Sequence, residues 1–375
     1  SKRVDEIFPF TNVNLAISKH GGNLTEEARR LGIEEDQLLD ASASLVPFQP
    51  PKSIDSCLRN ALGNNSLTKY PDHTYQAFRE AIGKWHEIDP KMVLPGNGAA
   101  ELLTWSARDA AETGTSTLVA PGFSDYARAL NCWKGQYLYQ QLPKCWSSEA
   151  PQAFPLTTNS SVLWITNPQN PTGQLWSRTS IEPLLERHKL VICDEAFLSL
   201  VPHGERQSLI PLVKNNSNLI VIRSLTKLFS IAGLRLGYAI STYKRLQRWQ
   251  YLRDPWPLNG LASAVGTKLM NDHIELDKWT RKVHNWLKKE GPWLQVKLGD
   301  LPGIKSHPSA TNFQLIESNN SLVKLREILS QQKILLRDCR SFEGLDEKWL
   351  RISLQTRKDN KRIISTMQQT LKQIL

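Results

Sequence analysis

Four short apolar runs in this sequence end abruptly in residues able to do chemistry. Leu163 to Thr166 opens into Asn167-Pro168-Gln169-Asn170-Pro171-Thr172-Gly173, and Val191 to Cys193 ends in Asp194-Glu195-Ala196-Phe197. Leu219 to Ile222 ends in Arg223-Ser224-Leu225-Thr226-Lys227, and an earlier run, Met92 to Leu94, leads into Gly96-Asn97-Gly98. If these runs are strands of one parallel sheet, their carboxyl ends share the rim at which ligands bind. An acid, an amine, a carboxamide and a glycine turn would then meet at one place.

That set suits pyridoxal-phosphate chemistry. A lysine must condense with the cofactor's aldehyde, and a carboxylate must keep the pyridine nitrogen protonated so that the ring accepts electrons. Lys227 and Asp194 can fill these roles. They lie about thirty residues apart, the length of one strand-helix-strand crossover, which places them on nearby strand ends. The lysine must also lose its proton near neutral pH, far below the ordinary value of ~10.4, and a desolvated, cationic pocket achieves that. The cofactor phosphate calls for amides at a helix N-terminus, hydroxyls and an arginine. Gly96-Asn97-Gly98-Ala99, opening a helix through Leu102 and Leu103, supplies the amides, while Ser224 and Arg235 supply the rest. Taken singly each piece is ordinary: Asn-Pro-Thr-Gly makes turns, glycines make tight loops, and a lysine can be merely solvated. Their joint occurrence, in this order and each behind a strand, argues for a site.

The elements that must hold these residues are those of an α/β protein. From about Pro51 to Arg253 helical stretches alternate with the runs Ser116 to Ala120, Ser161 to Thr166, Leu190 to Cys193, Leu219 to Ile222 and Leu236 to Ile240, which predicts a mostly parallel sheet sandwiched by helices. Beyond Pro255 and Pro257 come long amphipathic helices, Asp272 to Leu298, Ser321 to Gln331 and Thr356 to Leu375. Between them stand short strands, Asn312 to Ile316, Ile334 to Leu336 and Trp349 to Ser353, so a small α+β C-terminal domain is expected. We divide the chain into an arm and short helix over 1–45 that pack with the small domain, a large domain over 46–255 and a small one over 256–375. The arm helix should run from Thr25 to Leu31 and stop at Gly32.

The 375 residues are 40% hydrophobic and 22% charged, which fits a packed protein with more than one core. No apolar run is long enough for a membrane span, and no secretory leader is visible. Five scattered cysteines without CxxC spacing suit a reducing compartment, hence the cytoplasm, and no metal site is expected. The net charge of +11 is spread along the chain without basic blocks or an aromatic stripe, so a nucleic-acid partner is not expected.

At these residues the chain resembles the fold-type-I pyridoxal-phosphate enzymes, and within them the histidinol-phosphate aminotransferase group. Asn170-Pro171-Thr172-Gly173, Asp194-Glu195-Ala196 and Ser224-Leu225-Thr226-Lys227, followed by Gly233-Leu234-Arg235-Leu236-Gly237, match that signature in order and spacing. The resemblance implies that Asn170 bonds the cofactor's phenolic oxygen, Asp194 its ring nitrogen, and that Phe123 stacks on the ring. It implies that Gly98, Ala99, Ser224, Thr226 and Arg235 hold the phosphate, with Tyr70 reaching the phosphate of a neighbouring subunit in a homodimer with shared active sites. A closer resemblance is to the decarboxylases of L-threonine O-3-phosphate, which make (R)-1-amino-2-propanol phosphate for cobalamin biosynthesis. It rests on His20-Gly21-Gly22-Asn23, Pro121-Gly122-Phe123 with Tyr126, Asp194-Glu195-Ala196-Phe197 with Pro202-His203, and Pro255-Trp256 with Asn259. The transaminases usually carry Tyr where Phe197 stands. The sequence departs from the decarboxylases at Ser44 and Val46, where a pair of asparagines is usual, although Ser44 can still donate.

The substrate so implied is a small phosphorylated amino acid. By resemblance Arg337 takes its phosphate and Arg351 its carboxylate through bidentate contacts, with His20, Ser44 and Asn170 beside them. Two reactions stay open on one scaffold, because the substrate bond at Cα that stands perpendicular to the cofactor ring is the one that breaks. Decarboxylation is favoured by the motifs, and transamination of a histidinol-phosphate type of amine is the alternative. A non-catalytic regulator with this fold is a third reading, against which the intact set of Lys227, Asp194 and Asn170 argues.

Overall fold

A computed structural model describes residues 21–374. Seven strands form the larger sheet: β2 (Val93–Asn97), β3 (Ser116–Ala120), β4 (Tyr137–Gln141), β5 (Val162–Thr166), β6 (Leu190–Asp194), β7 (Leu219–Ser224) and β8 (Leu236–Ile240), in the order β2-β8-β7-β6-β5-β3-β4. Only β8 runs against the rest, pairing antiparallel with both β7 and β2. The central strands are apolar on both faces because both are covered. Along β5, Val162 and Trp164 join the core beneath the helices Gly98–Thr113 and Tyr243–Leu252, while Leu163 and Ile165 join the core on the other face. The edge strand β4 was not foreseen from the sequence, since Tyr137–Gln141 is largely exposed and forms no apolar run.

The smaller sheet has the order β1-β11-β12-β10-β9, from β1 (Leu39–Ala41), β9 (Ile304–Ser306), β10 (Phe313–Ser318), β11 (Ile334–Asp338) and β12 (Trp349–Ser353). Its first strand comes from the N-terminal part of the chain and pairs in parallel with β11. The preceding helix, Leu24–Leu31, ends at Gly32, whose φ of 67° is the left-handed cap glycine tolerates. A single helix of 27 residues, His273–Gly299, spans between the two sheets. The helix before it, Gly260–Asn271, lies against Gln76–His86 with Gly266 under the Phe78 ring, so the first helix past residue 255 packs on elements that precede it. Among the described residues no helix is long and apolar enough to cross a membrane.

One local expectation changes. The link from β6 to β7 is made of three 3-10 turns, Leu198–Leu200, Gly204–Gln207 and Ile210–Asn215, and contains no α-helix. Pro202, Gly204 and Pro211 interrupt it. Buried Glu195 organises it by accepting from Ser208 Oγ (2.7 Å), Leu209 N (2.8 Å) and Arg223 Nε (3.1 Å). β6 and β7 are nonetheless direct neighbours, with Asp194 opposite Ile222.

Candidate active site

The carboxyl ends of β5, β6 and β7 open into a cavity of about 380 Å³ that reaches across to the small sheet. Lys227, Asp194, Asn170, Ser224, Thr226, Arg235, Ala99, Phe123, Ser44, Arg337 and Arg351 all line it. The sequence thus predicts eleven residues that share this wall. Gly98 stands just behind it, Tyr70 stands outside it, and His20 lies outside the described residues.

Lys227 occupies the short helix Thr226–Phe229 that follows β7 directly. Its surroundings push its pKa from 10.5 down to about 8. Burial is the largest cause, repulsion by Arg351 and Arg235 adds to it, and Asp194 acts in the opposite direction. The Nζ sits 5.3 Å over the Phe197 ring, which meets Phe313 edge-on at 5.2 Å. A phenol at position 197 would put a hydroxyl near this amine; the phenylalanine offers only a π face.

Asp194 ends β6, buried. Its Oδ2 accepts from Tyr126 Oη at 2.7 Å and its Oδ1 from Ala196 N at 3.0 Å. Tyr126 Oη also lies 2.6 Å from Thr166 Oγ1. Burial raises the carboxyl's pKa, and the Tyr126 and Ala196 bonds and Lys227 pull it back. A carboxylate accepts about four hydrogen bonds, so Asp194 keeps capacity for one more donor from the cavity. Tyr126 is the residue that reasoning from types and spacing did not assign. It lies three residues after Phe123, one helical turn on, where the helix Asp125–Cys132 begins.

The phosphate end is built from the loop after β2. Gly98 has φ of 76°, and a side chain there would run into the Arg235 guanidinium. Its N–H donates to Arg235 O at 3.1 Å, tying the two loops together. Asn97 gives the helix Gly98–Thr113 no side-chain cap, so the first-turn amides after Gly98 remain for an anion. Ser224 Oγ accepts from Thr226 N at 3.1 Å.

The small sheet supplies the other wall. Arg337 on β11 and Arg351 on β12 are direct antiparallel partners, so their side chains share one face about 5 Å apart at Cβ. Both are buried, at 3% and 5% exposure, which is unusual for two like charges. Arg351 Nη1 donates to Asn170 Oδ1 at 2.5 Å and Nη2 to Ser42 O at 2.9 Å, while its buried Nε has no hydrogen-bond partner among the described residues. Burial and then Arg337 press its pKa down to about 9, so it stays charged at neutral pH. Arg337 donates to Asp338 O (2.5 Å) and Ser341 Oγ (3.0 Å) and lies 4.7 Å over Phe342. Ser44 Oγ is 3.0 Å from Ser353 Oγ. Val46 is buried and lines no part of the cavity.

The residues fit pyridoxal phosphate. A cationic, glycine-backed cup stands at one end, a buried acid with spare acceptor capacity at the other, an aromatic ring to one side and a lysine of lowered pKa between them. Asn170, with Oδ1 engaged by Arg351, keeps its amide NH2 as donor. Among the described residues no group of histidine, cysteine and acidic side chains could hold a metal.

Comparison with known proteins follows the same lines. Residues 36–367 match the family model described as aminotransferase class I and II. A threonine-phosphate decarboxylase from Salmonella typhimurium is 31% identical over 362 residues, covering 94% of this chain and 97% of that protein. The crystal structure of L-threonine-O-3-phosphate decarboxylase from Porphyromonas gingivalis shares the fold at a TM-score of 0.76 and 23% identity, over 88% of this chain and 98% of that one. Histidinol-phosphate aminotransferase from Sinorhizobium meliloti, solved with pyridoxal 5'-phosphate, does so at 0.79 and 18% identity over 98% of each chain.

Proposed function

The chain belongs to the class I and II aminotransferase family, and from that premise we propose that it is a pyridoxal-phosphate enzyme that decarboxylates L-threonine O-3-phosphate to (R)-1-amino-2-propanol phosphate. The observation that carries this reading is the buried, directly opposed pair Arg337 and Arg351 in one cavity with Lys227. Two guanidiniums side by side in low dielectric repel unless anions lie against them. An amine bearing both a carboxylate and a phosphate meets that demand, and the Salmonella typhimurium relative is named for such a substrate.

When bound, the cofactor supplies an electron sink for the bond broken at Cα. Asp194, steadied by Tyr126, holds a proton at the ring nitrogen. The first-turn amides after Gly98, with Ser224, Thr226 and Arg235, would bind the cofactor phosphate, Phe123 would pack against the ring, and the Asn170 amide would donate to the phenolic oxygen. Lys227 would hold the cofactor through its amine and, once the substrate is bound, would be the group that carries a proton to Cα. Arg351 orients the carboxylate and Arg337 the phosphate. Phe197, backed by Phe313, and Phe342 give the cavity an apolar wall. Phe197 offers no hydroxyl to the cofactor's phenolic oxygen, which would alter the ring's electronics.

A homodimer fits the exposed apolar patch of Leu67 (73% exposed), Tyr70 (78%) and Trp256, where the Tyr70 and Trp256 rings pack at 4.5 Å. In such a dimer Tyr70 would complete the partner's phosphate cup. The five free cysteines fit work in the cytoplasm. The deciding assay offers O-phospho-L-threonine alone, and in parallel histidinol phosphate with 2-oxoglutarate. CO2 released without a keto acid is the expected result; glutamate formation without CO2 would replace this reading by transamination.

A further inference from the structure

Three side chains of the long helix His273–Gly299 reach backbone carbonyls in segments that carry cavity-lining residues. Trp279 donates its indole N–H to Leu228 O at 2.8 Å, one residue beyond Lys227, and its ring stacks on Phe229 with centroids 6.3 Å apart. Two turns on, Trp286 donates to Gln355 O at 2.9 Å, four residues beyond Arg351. From another side of the helix, His284 Nε2 lies 2.9 Å from Ser199 O, two residues beyond Phe197. Burial lowers the pKa of His284, so the neutral ring is the form that donates through Nε2 to that carbonyl. Glu290 extends the grip by accepting from Arg357 Nε (2.8 Å) and Asn360 Nδ2 (3.2 Å), while Asn360 Oδ1 accepts from Gln355 N (2.9 Å).

A helix rises about 1.5 Å per residue, so Trp279 and Trp286 are clamps roughly 10 Å apart on nearly the same face of one stiff rod. One clamp holds the segment that carries Lys227, the other the segment that carries Arg351. Neither indole lines the cavity. We propose that Trp279 and Trp286 are positioning residues which fix the separation of the Lys227 amine from the Arg351 guanidinium, and through it the rotation of the substrate that selects decarboxylation over amino transfer. An apolar ring of similar size would fill the same space but remove the tie from the helix to Leu228 O or to Gln355 O, leaving Gln355 O only its bond from Asn360 Nδ2 at 3.0 Å, and free the two segments to drift. A drift of about 1 Å at reacting groups is enough to cost ~100-fold in rate. The inference rests on the substrate reading above for its catalytic arm only.

The test compares Trp279→Phe, Trp286→Phe and the double variant with Trp133→Phe. Trp133 also donates an indole N–H to a backbone carbonyl, Thr104 O at 2.7 Å, but at a surface turn away from the cavity. Four quantities are measured on full-length protein: CO2 release from O-phospho-L-threonine, amino transfer to the cofactor per CO2, the pH midpoint of pyridoxal-phosphate capture by Lys227 in the apo-protein, and the melting temperature. Each single variant should lose about tenfold in kcat with KM within about threefold. Each should transfer more amino groups per CO2 and shift the capture midpoint upward, as a loosened Arg351 repels the Lys227 proton less. Trp133→Phe should change none of these. The double variant should lose less kcat than the product of the singles, because releasing either end frees the rod, while its losses in melting temperature add. Multiplying kcat losses, or a capture midpoint that stays at the wild-type value, overturns the proposal. A wild-type protein that releases no CO2 sinks the substrate reading, and the capture midpoint still decides this one.

Discussion

Replacing Arg351 by Gln should raise the pKa of Lys227, and replacing Asp194 by Asn should lower it. The opposite signs follow from the surroundings of the amine. Burial lowers its pKa most, Arg351 and Arg235 lower it further, and Asp194 raises it, with a net value of about 8 against the ordinary 10.5. At pH 7 such a lysine is neutral in about one molecule in ten, whereas an ordinary one is neutral in about one in three thousand, so the site gains roughly 300-fold in reactive amine. Removing one neighbouring cation is worth about one pKa unit, which should slow aldehyde capture at pH 7 by about tenfold and leave the rate above pH ~11 unchanged. The assay mixes apo-protein with pyridoxal phosphate from pH 6 to 11 and follows the absorbance of the bound cofactor. Each profile is normalised to its alkaline plateau, so weaker grip on the ring by Asp194→Asn scales the plateau and leaves the midpoint to report the lysine. If both variants shift the midpoint in the same direction, or neither shifts it, the electrostatic account of Lys227 is wrong.

The same shift predicts a stability effect. The unfolded chain keeps the lysine proton up to about pH 10.5 and the folded chain releases it near 8, so the folded state is penalised below pH 8 and recovers as pH rises from 8 to 10.5. Apo Lys227→Met should therefore unfold at higher urea concentration than the apo wild type at pH 7, with the pH-dependent part of that advantage gone above 10.5; an advantage that grows with pH would contradict the assignment. Gly98→Ala forces a left-handed residue to carry a Cβ against the Arg235 guanidinium. It should cost about 1–2 kcal/mol of stability and weaken pyridoxal-phosphate binding at least tenfold, read by denaturation and by fluorescence titration of the cofactor. Arg337→Gln should raise KM for O-phospho-L-threonine about 100-fold, the worth of one or two charge-assisted hydrogen bonds, while decarboxylation of unphosphorylated L-threonine changes little. Equal losses on both substrates would remove Arg337 from the phosphate.

Lys227, Asp194 and Asn170 were legible because each signal is local: an apolar run short enough to be a buried strand, then a polar residue at its carboxyl end. The rim they share is a consequence of parallel pairing, and the observed register of β6 with β7 delivers it even though the connecting segment is three 3-10 turns. The opposition of Arg337 and Arg351 was not legible. It depends on the antiparallel register of β11 and β12, set by the turn that contains Phe342 and Leu345, whose side chains are buried in a small core with Trp349. Tyr126 escaped for a related reason. Its hydroxyl meets Asp194 across 68 residues of chain, and nothing near either residue encodes that contact. Tyr70 could be assigned to a cofactor only through likeness to a family, since within one chain it packs on Trp256, away from the cavity.

The charges around the cavity also account for why this site departs from ordinary folding rules. Lys227, Arg235, Arg337 and Arg351 face it, while among the described residues the acids that line it are Asp194 and Asp125, and Asp125 is already engaged by Arg128 Nε at 2.5 Å. Burial lowers the pKa of Lys227, Arg337 and Arg351, and for Lys227 and Arg351 a neighbouring arginine of the cavity lowers it further, so the crowding is a poor arrangement for stability. It is a good arrangement for taking in a cofactor phosphate, a substrate phosphate and a carboxylate, each of which relieves repulsion as it binds. The carboxylate is the anion that must leave. On the proposed reading, loss of CO2 would take the carboxylate from Arg351, whereas the phosphate proposed for Arg337 would stay with the product. The product should therefore bind less tightly than the substrate, which a comparison of the two as ligands of the holoenzyme would check, and the crowding that burdens the empty fold would then assist release at the end of the cycle.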